Sequence, residues 1–307
     1  MSLEGKGFFI WTIRDCEAGD PENIAAVAKQ AGLQHVLIKI ADGVYAYNKD
    51  RNNDRDLVPP VVEALRAQDI SVWGWHYIYG NHPISEANLA AERVKELGLD
   101  GYVIDAEIEF EQPGKTNAAQ RYIDRLRTEL PTLPLALSSF RFPSFHPRFP
   151  WSVFLEKIDF NMPQVYWEQA HNPAVQLTRV VKEFKNLNPV RQVIPTGPAY
   201  KAGGWAPTVS DTSEFLNTCK SLKFTGANFF SWDECRDYLL PVWSSIADYQ
   251  WNQAPVTTDF AHLLIAALNT HDPASILSLY LPDAVHINFA RTVQGSEAIR
   301  GWYNTFF

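Results

Sequence analysis

Cysteine is scarce in this chain of 307 residues: Cys16, Cys219 and Cys235 are the only three. An odd, widely spaced set describes no disulfide framework and fits no zinc pattern, so no structural metal and no cofactor are expected. Basic charge is also in deficit, with 27 Lys and Arg against 35 Asp and Glu and a formal net charge of −8. Nucleic acid is therefore not an expected partner, because its recognition usually needs a positive face toward the phosphates. No apolar run approaches the roughly 18 to 20 residues that span a bilayer, so no membrane span is expected. The stretch Gly7-Phe8-Phe9-Ile10-Trp11-Thr12-Ile13 is too short and too aromatic for a signal h-region. A glycine-rich phosphate turn is missing after this first apolar segment, which counts against a doubly wound nucleotide-binding sheet. Ser138 and Ser139 lie outside any G-x-S-x-G context, which counts against a serine hydrolase. What the chain does have is aromatic surface, 13% of residues with 10 Trp, suited to core packing or to stacking on the flat apolar faces of sugar rings.

Apolar segments of strand length alternate with helical segments, the rhythm of a parallel sheet covered by helices. The strands are expected at Phe8 to Ile13, His35 to Ile40, Ser71 to Tyr77, Gly101 to Glu107, Leu135 to Ser139, Asp159 to Trp167, Gln192 to Thr196 and Gly226 to Trp232. Helix punctuation lies between them: Asp20-Pro21 reads as an N-cap followed by proline at the first helical position, and Gly32 and Gly98 as C-terminal stops. Eight strands with intervening helices over residues 1–250 predict an α/β fold, a (β/α)8 barrel.

The most informative segment is Asp100-Gly101-Tyr102-Val103-Ile104-Asp105-Ala106-Glu107-Ile108-Glu109. Alternate side chains of a strand share a face, so Val103, Asp105, Glu107 and Glu109 are expected to point one way and Tyr102, Ile104, Ala106 and Ile108 the other. The apolar set suits the helix layer. The other set then faces the barrel axis and turns acidic toward the carboxyl end, where such barrels keep their active sites. Carboxylates one strand repeat apart, roughly 6.5 to 7 Å between Cα atoms, repel when both are ionised, so one is expected to keep its proton as a general acid must. The bland alternative is that these acids cap the barrel mouth or pair with Lys39 or Arg141.

Asp100-Gly101-Tyr102-Val103-Ile104-Asp105-Ala106-Glu107 resembles the fourth-strand D-G-x-D-x-D-x-E signature of family 18 chitinases, and Asp105-Ala106-Glu107 is equally similar to the D-x-E of family 25 lysozymes. Ile38-Lys39-Ile40-Ala41-Asp42-Gly43 resembles the second-strand segment of the lysozymes, Trp75-His76-Tyr77 their third-strand segment in altered order, and Phe229-Phe230-Ser231-Trp232-Asp233 the eighth strand of the chitinases. Two departures stand out. Val103 replaces the first internal Asp of the chitinase signature, and Trp11-Thr12 stands where the lysozymes carry a first-strand Asp.

The resemblance implies a glycosidase acting on an N-acetylhexosamine polymer, peptidoglycan ahead of chitin, by substrate-assisted retaining hydrolysis. Glu107 would be the acid and base, and Asp105 would orient the acetamide. Glu109, Gln164, Tyr166, Lys39, His76, Tyr77, Asp233, Trp11 and Arg141 are candidate substrate contacts, with Trp232 as the apolar floor of the subsite or a core residue. A barrel that binds a polysaccharide without cleaving it is the alternative that the two departures motivate.

After a linker over 251–257 the pattern changes. Residues 258–307 carry Ala267-Leu268-Asn269, His271-Asp272, Leu281-Pro282-Asp283-Ala284-Val285 and Gly295-Ser296-Glu297-Ala298-Ile299, and resemble the opening of the SnoaL-like, nuclear-transport-factor-like cone fold. About fifty residues are too few for a self-sufficient core. The segment is therefore expected to be an incomplete α+β unit that continues in a longer protein, docks onto the barrel or mediates self-association.

Overall fold

The structure, a computed structural model, describes residues 3–50, 53–251, 260–280, 284–287 and 292–305. It divides into two compact units, Met1–Trp251 and Asn252–Phe307. The expected linker, apart from residue 251, and the Leu281-Pro282-Asp283 part of the tail motif lie outside the described residues.

The first unit is a closed parallel barrel. Its strands are β1 Gly5–Ile10, β2 His35–Asp42, β3 Ser71–Ile78, β4 Gly101–Ala106, β5 Leu135–Phe140, β6 Phe160–Gln164, β7 in two pieces, Gln192–Val193 and Thr196–Pro198, and β8 Gly226–Phe230. Each pairs in parallel with the next, and β8 returns to β1 with Gly5 opposite Gly226 and Phe8 opposite Phe229. Around the barrel run α1 Pro21–Gln30, α2 Val58–Ala67, α3 Pro83–Leu97, α4 Lys115–Glu129, α5 Trp151–Lys157, α6 Pro173–Phe184, α7 Val209–Ser221, α8 Trp232–Tyr238 and α9 Leu240–Asp248.

Local chemistry sets many of these boundaries. Asp20 accepts the Asn23 amide at 3.0 Å and caps α1 ahead of Pro21. Thr208 and Asp211 form a reciprocal capping box on α7. Pro163 and Pro195 lack an amide hydrogen for the ladder, which matches the shortness of β6 and the break in β7 relative to the sequence expectation.

Strand alternation sorts the side chains into two cores. The outer core, between strands and helices, holds Tyr102, Ile104 and Ala106 of β4 together with Phe8, Trp232 and Trp243. The inner core fills the barrel with Phe9, Leu37, Trp73, Trp75, Val103, Phe160 and Met162. Such bulk at the axis requires bare backbone opposite it. A Cβ on Gly101 would lie 2.5 Å from the Trp73 ring, and one on Gly7 would lie 2.1 Å from the His35 ring. The middle of the barrel is thus filled by side chains, and a cavity opens at each end, one of them among the carboxyl ends of the strands.

The second unit contains α10 Phe260–Asn269, α11 Pro273–Leu277, the antiparallel pair β9 Val285–Ile287 and β10 Thr292–Gln294, and α12 Ser296–Tyr303. Ala267, Ile276, Ile299 and Tyr303 form its small core.

Candidate active site

A cavity of about 260 Å³ opens at the carboxyl end of the strands, with Asp105, Glu107, Gln164 and Ser138 on its polar side and Phe9, Trp11, Trp75 and Phe230 on its apolar side. Lys39, Tyr77 and Tyr166 complete the lining. β4 delivers Asp105, with Ser138 of β5 directly opposite in register. Glu107 follows immediately after the strand.

The two acids share one donor. Gln164 Nε2 donates to Glu107 Oε1 at 2.8 Å and to Asp105 Oδ1 at 3.2 Å, and lies 3.3 Å from Ser138 Oγ. An amide nitrogen has two hydrogens, so it bridges two carboxyl groups without cancelling the charge of either. Burial pushes the Asp105 carboxyl well above the usual carboxylate range, and repulsion from Glu107 adds to this. Ser138, Lys39 and Gln164 oppose the rise at Asp105. Burial raises Glu107 as well, and Glu109 adds to it, while Gln164 opposes. Such a pair holds one proton into a pH range where isolated carboxyls hold none.

Tyr77 Oη donates to Glu109 Oε2 at 2.9 Å. Burial drives both the Tyr77 and Tyr166 phenols well above their ordinary range, which keeps them neutral hydrogen-bond donors. Beyond Gln164 and Tyr166 the cavity continues into a hollow of about 250 Å³ lined by Phe140, Arg141, Phe142, Phe145, His146 and Glu168. Phe140 and His146 stack there with centroids 3.5 Å apart, and His146 Nδ1 lies 2.8 Å from Glu111 Oε1. The aromatic, proline-rich segment after β5 is therefore a groove wall continuous with the cavity.

Several sequence expectations need correction. Glu109 is not on β4. The strand ends at Ala106 and Ile108–Glu111 forms a 3-10 turn, which brings Glu109 to Tyr77 from above. Trp232 does not floor the cavity; it is fully buried in the outer core against Phe8 and Trp243, with Nε1 3.3 Å from Glu17 Oε1. It has the parity of Phe230, but β8 ends at Phe230 and α8 begins at Trp232, so the side chain turns outward and Phe230 takes the cavity position. Asp233 follows it away from the cavity, to the neighbourhood of Asp15 and Cys16. Arg141 donates to Gln176 Oε1 at 2.6 Å rather than pairing with Glu109.

His76 also lies outside the cavity. It is fully buried, with Nδ1 2.9 Å from Tyr102 Oη and Nε2 2.8 Å from the Gly43 carbonyl. Its parity, opposite to that of Tyr77, already placed it on the helix side. Burial lowers its pKa from 6.5 to about 4. The unfolded chain therefore binds a proton between those values that the folded chain refuses, so stability is complete above pH 6.5 and falls as pH drops toward 4. The loss from this group approaches about 3 kcal/mol. Urea midpoints of wild type and His76→Gln at about pH 7.5 and pH 4.5 should show a smaller pH dependence in the variant; equal slopes would remove the assignment.

Of the cavity residues, Phe9, Trp75, Ser138 and Phe230 were missed. Strand parity was the available signal for Trp75 and Phe230, since they share the faces expected of Tyr77 and Trp232. Among the described residues no cluster of three or more His, Cys, Asp or Glu side chains is arranged to hold a metal ion, and no helix is long and apolar enough to cross a membrane.

No protein-family model matches the chain, and no curated protein matches it. Solved structures do. A chitinase from Bacteroides thetaiotaomicron superposes with a TM-score of 0.60 at 11% identity, covering 80% of this chain and 96% of that one. What is shared is the fold. A class V chitinase from Nicotiana tobaccum gives 0.59 at 10% identity over 82% and 99% of the two chains. A chitinase from Chromobacterium violaceum gives 0.55 at 12% identity over 80% and 98%. The barrel is thus one that glycoside hydrolases use, and the tobacco enzyme has also been solved as a mutant in complex with NAG4.

Proposed function

We propose that this barrel is a glycoside hydrolase acting on an N-acetylhexosamine polymer, peptidoglycan ahead of chitin, with Glu107 and Asp105 as its catalytic pair. The observation that carries the reading is the bridge from one Gln164 amide to both acids in an aromatic cavity at the carboxyl end of the barrel. The fold shared with chitinases supports it. The preference for peptidoglycan rests on the lysozyme-like Asp105-Ala106-Glu107 and Ile38-Lys39-Ile40-Ala41-Asp42-Gly43 segments.

In this mechanism protonated Glu107 gives its proton to the glycosidic oxygen as the bond to the anomeric carbon breaks. The acetamido oxygen of the same sugar forms the new bond to that carbon, and ionised Asp105 accepts the acetamido N–H and faces the positive charge that develops. Glu107, now a carboxylate, takes a proton from the water that bonds to the anomeric carbon as the bond from the acetamido oxygen to that carbon breaks, which restores the acetamide and gives net retention. Tyr166 supplies a neutral donor to the sugar, and the apolar wall of Trp75, Trp11 and Phe230 packs its face.

Two measurements test this. Oligomers of N-acetylglucosamine should be cleaved and their de-N-acetylated counterparts should not, since the nucleophile is the acetamide; equal cleavage of both would overturn the mechanism. The pH profile of kcat/KM should be bell-shaped, falling on the acid side as the Asp105–Glu107 pair gains its second proton and on the alkaline side as it loses its last. Both limbs should lie above the ordinary carboxylate values because both groups are raised. A glycan-binding barrel without turnover is the second reading, favoured by Val103, which puts an apolar side chain below Asp105. Binding of either polymer with no release of reducing ends would select it.

A further inference from the structure

The hollow beyond Gln164 and Tyr166 has a volume of about 250 Å³, nearly that of the catalytic cavity at about 260 Å³. Gln164 and Tyr166 line both, so a glycan held at the acid pair meets the hollow with its neighbouring sugar. The stacked Phe140 and His146 rings give the hollow a flat aromatic face, and the largely exposed Phe145 adds to it. Its cation is Arg141. This side chain is half-buried, with the guanidinium carbon 5.1 Å from the centroid of the Phe142 ring and Nη1 donating to Gln176 Oε1 at 2.6 Å. Gln176 is fixed in turn by donating to Asn172 Oδ1 at 2.8 Å. Among the described residues no carboxylate stands within ion-pair distance of Arg141. Arg179, whose guanidinium carbon lies 4.0 Å from the centroid of the same Phe142 ring, has its acid: Nε donates to Glu183 Oε1 at 2.7 Å. A guanidinium carries five N–H donors, and withdrawing it from water against one neutral acceptor leaves most of them and the charge uncompensated.

We propose that this hollow is a second sugar subsite that selects a ring carrying a carboxylate, which Arg141 binds. The proposal rests on the reading of Asp105 and Glu107 as the reacting pair and adds to it the acidic class of glycan. A planar carboxylate accepts two N–H groups of a guanidinium side by side, which supplies both the acceptors and the charge that Arg141 lacks. The acid in the lining, Glu168, is exposed to water, and its Oε1 accepts the Tyr200 hydroxyl. Water screens its charge, and it offers an acceptor to a ring hydroxyl of the same sugar. Burial lowers the Arg141 pKa although Glu168 raises it, as expected of a cation with no carboxylate in contact. Lys39, the cation of the catalytic cavity, is already paired with Asp42 at 2.6 Å. The chain as a whole has a formal net charge of −8, so its overall field repels an acidic glycan and any preference for one must come from a local cation. Two sugar acids fit this chemistry, one with its carboxylate on a lactyl ether, as in N-acetylmuramic acid, and one with it on the ring, as in a uronic acid.

Calorimetric binding of three tetrasaccharides to Glu107→Gln protein, in which turnover is suppressed, tests this. One is built of N-acetylglucosamine alone, one alternates it with N-acetylmuramic acid and one alternates it with glucuronic acid. At least one acidic tetrasaccharide should bind about tenfold or more tighter than the neutral one, and which of them does so tells the lactyl carboxylate from the ring carboxylate. Converting its carboxylates to carboxamides should abolish the advantage. Adding Arg141→Met should abolish it too while changing the affinity for the neutral tetrasaccharide far less, and Arg141→Lys should keep part of it; Arg141→Gln decides the matter if Arg141→Met does not fold. Equal binding of all three, an advantage that survives the loss of Arg141 or of the carboxylates, or a loss in Arg141→Met that is the same for all three overturns the proposal. Binding and cleavage fail separately. Tight binding of an acidic tetrasaccharide with no cleavage by wild type removes the hydrolase reading and leaves the subsite. Cleavage of the neutral and acidic tetrasaccharides with equal kcat/KM and equal affinity keeps the hydrolase and removes the subsite, and no binding of any removes both.

Discussion

Glu107→Gln is expected to lower kcat for cleavage of N-acetylhexosamine oligomers by about a hundredfold to ten-thousandfold, the usual contribution of a positioned general acid. That corresponds to about 3 to 5 kcal/mol of transition-state stabilisation. The substitution keeps an oxygen to accept the Gln164 amide, which bonds Glu107 Oε1 at 2.8 Å, so the cavity should retain its shape and binding should change only a few fold. What disappears is the proton that the leaving oxygen needs and the base that later activates water. Asp105→Asn should also suppress turnover, for another reason: a neutral amide can still meet the acetamide but cannot balance the positive charge on it. Reducing-end release and calorimetric binding, measured on the same oligomer for all three proteins, separate these effects. If Glu107→Gln cleaves at the wild-type rate, the general acid lies elsewhere.

The second large effect is structural. Trp232→Ala should destabilise the barrel by about 3 to 5 kcal/mol, as expected when a buried aromatic is truncated and its surroundings cannot collapse into the space. Trp232 is fully buried, its ring centroid 4.9 Å from that of Trp243 and 6.1 Å from that of Phe8. This aromatic cluster fastens α8 and α9 to β1, so its loss should be felt across the closing seam between β8 and β1. Chemical denaturation followed by tryptophan fluorescence reads the change. A subsite floor would behave differently, with a raised KM and nearly unchanged stability, and that outcome would contradict the position of Trp232 in the outer core. Phe230→Ala provides the converse case, because Phe230 lines the cavity beside Trp11, Trp75 and Tyr166. Its truncation should weaken glycan binding more than it lowers stability.

These two tests fall on either side of the line between what was legible in the chain and what was not. The alternation in Tyr102-Val103-Ile104-Asp105-Ala106 assigned Tyr102, Ile104 and Ala106 to the outer core, Val103 to the inner one and Asp105 to the cavity above it, because strand geometry depends only on local backbone. The same rule would have kept His76 off the site, since it shares no face with Tyr77. It failed at Trp232 and Glu109, where the strand had already ended. Strand ends depend on where the neighbouring strands and the following helix take over the hydrogen bonds, and those partners are far away in sequence.

The sequence by itself determined the eight-strand rhythm, the helix starts at capped prolines such as Pro21, and the acids at the carboxyl end of the fourth strand. Each of these follows from residues within a few positions of one another. Only the tertiary structure decided that Gln164, 57 residues from Glu107, bridges the two acids, that the Lys39 ammonium lies among the rings of Trp11, Tyr47 and Trp75, and that Phe230 rather than Trp232 walls the cavity. Barrel closure makes these choices, because it brings residues from all around the ring to one axis, and which side chains meet there depends on the register of every pair of strands at once.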